Sequence, residues 1–84
     1  MGWVRDWDHL TEREQAVVAR AAIGMTNREI AQEMHLAIST AKSHLSSAMW
    51  KLGVTNRTQA ALIALHADSP MVREITARVY PDTA

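Results

Sequence analysis

One stretch of the sequence, residues 26–52, combines many hydroxyl side chains with basic groups and few acidic ones. Residues 34–67 contain no Asp or Glu, while Lys42, Lys51 and Arg57 fall among them. Hydroxyls, amides and cations are the groups that bind phosphate oxygens, and exposed N–H groups at helix starts add to that attraction. The chemistry that these residues can perform is therefore recognition of a phosphate backbone.

The net charge of zero conceals an uneven distribution of charge along the 84 residues. Residues 1–33 carry four basic and six acidic groups, residues 34–67 carry three basic groups and no acidic ones, and residues 68–84 carry two basic and three acidic groups. A local positive surface binds phosphate even in a neutral chain. We expect non-specific binding to be weaker than that of a strongly basic domain.

Other kinds of chemistry lack the residues that they need. The chain has no Cys, which excludes disulfides and cysteine zinc sites, and its four His are scattered without ligand spacing. We therefore predict no metal, no cofactor and no enzyme activity. No signal peptide and no apolar run near the roughly 20 residues of a membrane span is present, so we expect a cytoplasmic, nucleoid-associated protein without membrane contact.

Local signals predict an all-α domain. Two capping boxes, at 11–14 and 26–29, each pair a Thr with a Glu three positions later and mark the starts of helices 1 and 2. Gly24 ends the first helix as a left-handed residue, and the second ends near His35.

A third helix is predicted to begin between Ala37 and Thr40 and to run to Leu52, before Gly53. Four of its apolar residues, at spacings i, i+4, i+7 and i+11, fall within about 60° on a helical wheel, which defines a buried stripe. The buried stripe comprises Ala41, Leu45, Ala48 and Leu52, and the opposite side comprises Ser39, Ser43, Ser46, Ser47 and Trp50.

Helix 4 follows a cap at Asn56 and is apolar on every side over residues 60–65, which favours cover by a second subunit. A fifth helix is predicted from Ser69 to about Pro81. The domain boundaries are an N-terminal extension at 1–10, the helical domain at 11–67 and a helical C-terminal extension at 68–84.

The N-terminal extension carries Trp3, Trp7 and Leu10 at spacings that place them on one helical face. We predict that the two rings pack on the body of the domain. The alternative is an exposed interaction surface.

Four segments together resemble a known family: LTEREQ at 10–15, TNREIA at 26–31, TAKSHL at 40–45 and KLGVTNRTQA at 51–60. They are similar in order and spacing to the LuxR-type (GerE- or NarL-like) helix-turn-helix domain of bacterial transcription regulators. Region 4 of sigma factors is similar in its first half but lacks the fourth segment.

The resemblance implies a four-helix domain that binds double-stranded DNA, with helix 3 (about residues 39–52) in the major groove and helix 4 forming a homodimer. Its implied base contacts are Lys42, Ser43 and Ser46. Its implied backbone contacts are Thr26, Asn27, Arg28, Thr40, His44, Lys51 and Arg57. We predict that the dimer interface comprises Ala60, Ile63, Ala64 and Ala67.

Simpler interpretations of several residues remain open. Lys42 could be an ordinary solvated lysine, and Thr26 and Thr40 could serve only as helix caps. His44 could make a structural hydrogen bond, and Arg57 could pair with a nearby group of the protein.

The chain departs from the family pattern at the turn between helices 2 and 3. His35 stands where the family usually has Gly, and Ala37 stands where it usually has a capping Ser. A cap at Ser39 would shift the helix start by two residues. Ile38 could contact a thymine methyl group or pack at the edge of the core. Trp50 could cover helix 4, contact the N-terminal Trp residues or lie beside a sugar-phosphate strand.

The leading hypothesis is a dimeric, sequence-specific DNA-binding regulator. The alternative is a protein-interaction module of the same fold that docks on a sigma factor, RNA polymerase or another regulator. Only ten residues precede Thr11, so the chain is either a free-standing small regulator or an excised domain. Met1, the N-terminal Trp residues and the C-terminal helix favour the first.

Overall fold

A computed structural model describes residues 6–80, and all regular structure within that range is helical. A helical turn at residues 6–8 is followed by five helices: α1 (Glu12–Ala22), α2 (Asn27–Met34), α3 (Ile38–Leu52), α4 (Arg57–His66) and α5 (Pro70–Thr76). This confirms the predicted all-α fold. None of the helices in this range is long and apolar enough to cross a bilayer.

Both predicted capping boxes are formed. The Thr11 hydroxyl accepts from the Glu14 amide at 3.1 Å, and the Glu14 carboxylate accepts from the Thr11 amide at 2.8 Å. Thr26 and Glu29 repeat the arrangement at the start of α2 with the same two distances. Each capping box therefore fixes the start of its own helix through two residues that are three positions apart in the sequence.

Helix α1 lies at the centre of the domain and packs against α3, α4 and α5, with its most extensive contact on α4. Val17 and Val18 are completely buried at this junction, together with Ile30 of α2. Trp7 is also buried, and its carbonyl accepts from the Gln15 side-chain amide at 2.9 Å. The prediction that the N-terminal rings pack on the domain is thus confirmed for Trp7, while Trp3 lies outside the described residues.

Helix α5 closes the far side of α1 by burying Val72 and Ile75. It ends at Thr76, earlier than the predicted end near Pro81, because the chain closes into tight turns there: the Tyr80 amide donates to the Thr76 carbonyl at 2.7 Å. Val79, which falls within the predicted range of this helix, lies beyond its observed end and is exposed.

The chain after α5 is tied to α2 by an ion cluster around Glu33. The Arg78 guanidinium donates to both carboxylate oxygens at 2.8 Å, and Arg20 of α1 bonds to the same carboxylate. The hydrogen bond from Arg78 has the largest effect on the pKa of the Glu33 carboxyl. Together with the bond from Arg20 it holds that pKa below its usual range, although partial burial by itself raises it.

A second carboxylate, that of Glu14, joins the start of α1 to the last two turns of α3. Besides the Thr11 amide, it accepts from the Lys51 ammonium at 2.8 Å and from the Ser47 hydroxyl at 2.5 Å. Burial by itself raises the pKa of Glu14. The hydrogen bonds from Lys51, Ser47 and Thr11 outweigh it and lower the pKa from 4.5 to about 2.

We predict that Glu14→Gln lowers the free energy of unfolding near neutral pH by about 1–3 kcal/mol, since Gln keeps the capping box but loses the charge-assisted bonds to α3. The folded state binds the Glu14 proton more weakly than the unfolded chain does. Its contribution is therefore present above the unfolded pKa of 4.5 and is lost as the pH falls towards 2, on the order of 3 kcal/mol in all.

Denaturant unfolding of wild type and Glu14→Gln between pH 7 and pH 2 measures this difference. The control is Glu12→Gln, an exposed glutamate in the same helical turn, for which we expect a change of about 0.5 kcal/mol or less. Parallel stability curves for wild type and Glu14→Gln would contradict a stabilising role for the Glu14 charge.

Candidate nucleic-acid interface

The turn between α2 and α3 depends on a left-handed residue, His35, at φ 57° and ψ 44°. The next amide, that of Leu36, donates to the Ala31 carbonyl at 2.8 Å, which closes a Schellman motif. Gly24 after α1 and Gly53 after α3 make the same reversal with positive φ. His35 thus forms the glycine-type turn at the cost of some backbone strain, and helices α2 and α3 meet as a helix-turn-helix.

Helix α3 begins at Ile38 with Ala37 as its N-cap, and no side chain bonds to its first amides. The cap at Ser39, which would have shifted the helix start by two residues, is therefore not formed, and α3 begins within the predicted interval between Ala37 and Thr40. Ala37, two residues after the reversal at His35, has the extended backbone of an N-cap, so the helix starts before Ser39 is reached. The first N–H groups of α3 consequently lack a side-chain cap, unlike those of α1, α2 and α4.

The structure divides the predicted DNA-contact residues by exposure. The exposed ones lie at the start of α2 and along α3: Thr26, Arg28, Thr40, Lys42, Ser43 and Ser46. The half-buried ones are Asn27, His44, Lys51 and Arg57. The Thr26 hydroxyl also caps α2, a role that is compatible with either interpretation of this residue.

The side of α3 next to α1 carries Ser47 and Lys51, which both bond to Glu14. The expectation that Ser47 lies on the outward side is corrected, because its hydroxyl is drawn to the buried carboxylate. Lys51 is half-buried, and its ammonium is held at the same place. The exposed outer face of α3 is thus narrower than expected and comprises Ser39, Ser43, Ser46 and Trp50, flanked by Lys42.

Arg57 fastens the start of α4 to the start of α2. Its guanidinium donates to the Asn27 side-chain carbonyl at 3.2 Å and to the Met25 backbone carbonyl at 2.7 Å. The local pairing considered for Arg57 is therefore present, and it positions Asn27 beside the helix start. The hydrogen bonds of Arg57 therefore hold the start of α2, and those of Glu14 hold the last two turns of α3.

Comparison with known proteins gives the family. The sequence pattern of the family described as "Bacterial regulatory proteins, luxR family" matches residues 8–64. This chain belongs to the luxR family. The helix pair described above lies within the matched range, so it is the helix-turn-helix of a luxR-family domain.

Individual luxR-family relatives match a similar range. The Transcriptional regulatory protein LiaR of Bacillus subtilis is 42% identical over 57 residues, which cover 68% of this chain and 27% of the relative. The Response regulator protein VraR of Staphylococcus aureus is 43% identical over 58 residues, covering 69% of this chain and 28% of the relative. The chain thus spans about a quarter of the length of these relatives. No solved structure matches it at a significant level.

Two of the four predicted dimer residues of this luxR-family domain need correction. Ala60 and Ala64 are 0% exposed and belong to the monomer's own core, where their small side chains permit close contact between α4 and α1. Ile63 and Ala67 are half-buried against the same core. The exposed apolar residues of α4 are instead Leu62 and Leu65.

Two positioning groups were missed from the sequence. Glu14 was assigned only to its capping box, although it also holds α3 through Ser47 and Lys51. Glu33 was not singled out, although it joins α1, α2 and the chain after α5. The available signal was weak: both are acidic residues at the edge of an apolar stripe, where a charge requires partners.

We predict that His35→Gly raises the free energy of unfolding by about 0.5–1 kcal/mol, because glycine adopts positive φ without the steric cost that a Cβ imposes. The control is Gln32→Gly, an exposed residue within α2 with ordinary helical backbone, which we expect to lower stability by about 1 kcal/mol. Thermal or denaturant unfolding distinguishes them. A less stable His35→Gly protein would mean that the imidazole makes a compensating contact.

Proposed function

We propose that this luxR-family domain is a sequence-specific DNA-binding transcription regulator, with α3 as the recognition helix in the major groove. The observation that carries the proposal is the outer face of α3, where exposed serines and Lys42 stand on a helix free of acidic residues. Short hydroxyls and a lysine are donors that reach base edges. Such a regulator would act in the bacterial cytoplasm, on the nucleoid.

The assignment of base and backbone contacts follows the resemblance to the luxR family. Lys42, Ser43 and Ser46 are the proposed base contacts, with Lys42 directed to guanine O6 and N7. The proposed backbone contacts are Thr26, Asn27, Arg28, Thr40, His44, Lys51 and Arg57. Among these, Arg28 and Thr40 are exposed, while Lys51 and Arg57 already donate within the protein and would contribute less.

The uncapped start of α3 supports the same orientation. The N–H groups of its first turn have no side-chain acceptor, and the positive end of a helix dipole attracts a phosphate. Of the acids on or beside the helix pair, Glu14 and Glu33 are each paired with cations of the protein, while Glu29 at the start of α2 is exposed. The pairing of Glu14 and Glu33 reduces repulsion of the DNA backbone.

We also propose that the domain binds DNA as a homodimer through α4. Leu62 is 52% exposed and forms part of the wall of an apolar groove of about 460 Å³. The other apolar side chains that line this groove are Leu52, Val54 and Ile63. In a two-fold dimer each Leu62 would enter the groove of the other protomer. Two recognition helices would then meet half-sites about 10 base pairs apart.

A second candidate function is that of a protein-interaction module on a sigma factor, RNA polymerase or another regulator. The exposure of Ile38 and Trp50 on α3 favours it. Selection of bound duplexes from a random DNA pool separates the two functions and reveals the half-site spacing. Enrichment of one sequence, with affinity falling as salt rises, supports DNA binding. Failure to retain any duplex at low salt would support the protein partner.

We predict that Lys42→Ala weakens binding to the selected duplex by more than about 1 kcal/mol and reduces discrimination against random duplex. Titration of labelled DNA measures both. The matched control is Arg73→Ala, which removes an exposed positive charge from α5 and should leave discrimination unchanged. An unaltered affinity for the selected duplex would exclude Lys42 from base recognition.

We predict that Leu62→Glu raises the dimer dissociation constant at least about tenfold, since a charge would have to be buried in the partner's groove. The change should leave stability nearly intact because Leu62 is half-exposed. Sedimentation velocity over a range of protein concentration measures the association. Gln32→Glu introduces the same charge at an exposed site on α2 and serves as the control. Equal association of both variants would argue against α4 as the interface.

A further inference from the structure

Trp50 is the most exposed of the large apolar side chains in the described range, at 83%. It stands on the outer face of α3, and the other residues of that face are Ser39, Ser43 and Ser46. A tryptophan ring carries a large apolar surface, and its N–H group is a donor with no acceptor capacity. Such a group gains most from a partner that offers both an apolar surface and an acceptor.

The register of α3 shows where that partner would lie when the helix is in a major groove. Trp50 follows Lys42 by eight residues, which corresponds to about 12 Å along the helix axis. The major groove is itself about 12 Å wide. Because recognition helices contact base edges with their N-terminal residues, a helix that places Lys42 and Ser43 at base edges carries Trp50 two turns further from those edges, towards the wall of the groove, where deoxyribose and phosphate lie.

We infer that Trp50 anchors the recognition helix to one sugar-phosphate strand, an inference that rests on the DNA binding proposed above. The indole ring packs on the apolar face of a deoxyribose, and its Nε1–H donates to a phosphate oxygen. Deoxyribose and phosphate together supply the apolar surface and the acceptor that this side chain requires. No Asp or Glu between residues 34 and 67 opposes the approach of the strand.

This role differs measurably from that of Lys42. A contact to sugar and phosphate carries no sequence information, so Trp50 fixes the depth and tilt of α3 for every sequence alike. An indole is also neutral and releases no counterions, so the contact adds affinity without adding salt dependence. Lys42 instead contributes a positive charge and discrimination among bases.

The test compares wild type, Trp50→Ala, Trp50→Phe and Lys42→Ala. Each is titrated at several salt concentrations against two labelled duplexes of about 30 base pairs, long enough for two half-sites: a random-sequence duplex and the one recovered by selection. We expect Trp50→Ala to lose roughly tenfold in affinity for both duplexes with the salt slope unchanged. Trp50→Phe, which keeps a ring but has no N–H, should fall between wild type and Trp50→Ala.

Tryptophan emission gives an independent readout. The difference in emission between wild type and Trp50→Phe isolates Trp50 from Trp3 and Trp7, and we expect DNA to protect that difference signal from acrylamide quenching. Unfolding measurements should show unchanged stability in both Trp50 variants, because the side chain is exposed.

Each remaining outcome overturns a defined part of the inference. If wild type binds DNA and Trp50→Ala binds both duplexes equally well, the anchor is excluded while the proposed function stands. If the loss is confined to the selected duplex, Trp50 reads bases and the backbone contact is excluded. If wild type binds neither duplex at low salt, the proposed function and the anchor both fail, and Trp50 belongs to a protein-binding surface.

Discussion

The hydrogen bonds of the Glu14 carboxylate are the interaction on which the orientation of α3 depends. It closes the cap of α1 through Thr11 and at the same time accepts from Ser47 and Lys51 on α3. A buried charge is tolerated only when it is hydrogen-bonded in this way. Because Ser47 and Lys51 must both face Glu14, the cluster fixes the orientation of α3 about its own axis. That orientation directs the serines and Trp50 outward and keeps Ser47 inward.

The cations of the domain consequently have two kinds of role. Lys51 and Arg57 donate to groups of the protein and fix the relative positions of helices. Arg28 and Lys42 are exposed on the helix pair. A domain with zero net charge thus retains a local surface suited to phosphate, because Lys51 is paired with the buried Glu14 while Lys42 is exposed in an acid-free region.

Small side chains explain how so short a chain buries a core and still presents apolar groups outside. Alanines at positions 19, 31, 41, 48, 60 and 64 are buried, which allows close packing of neighbouring helices. The larger apolar groups Trp50, Leu62 and Leu65 are left on the surface of α3 and α4. Exposed apolar groups thus lie on the elements proposed to meet DNA and a second protomer, and also at Val79 and Tyr80 after α5.

The five helices could be predicted from local patterns, apart from the end of α5, because caps, helix-ending glycines and 3.6-residue periodicity act over a few neighbouring residues. The family and the buried stripe of α3 could be predicted as well. Contacts between distant parts of the chain could not. Glu14 meets Ser47 and Lys51 across 33 and 37 positions, and no local pattern encodes such a contact. The apolar residues of α4 lie on every side, so only packing against α1 could select Ala60 and Ala64 for the core and leave Leu62 outside.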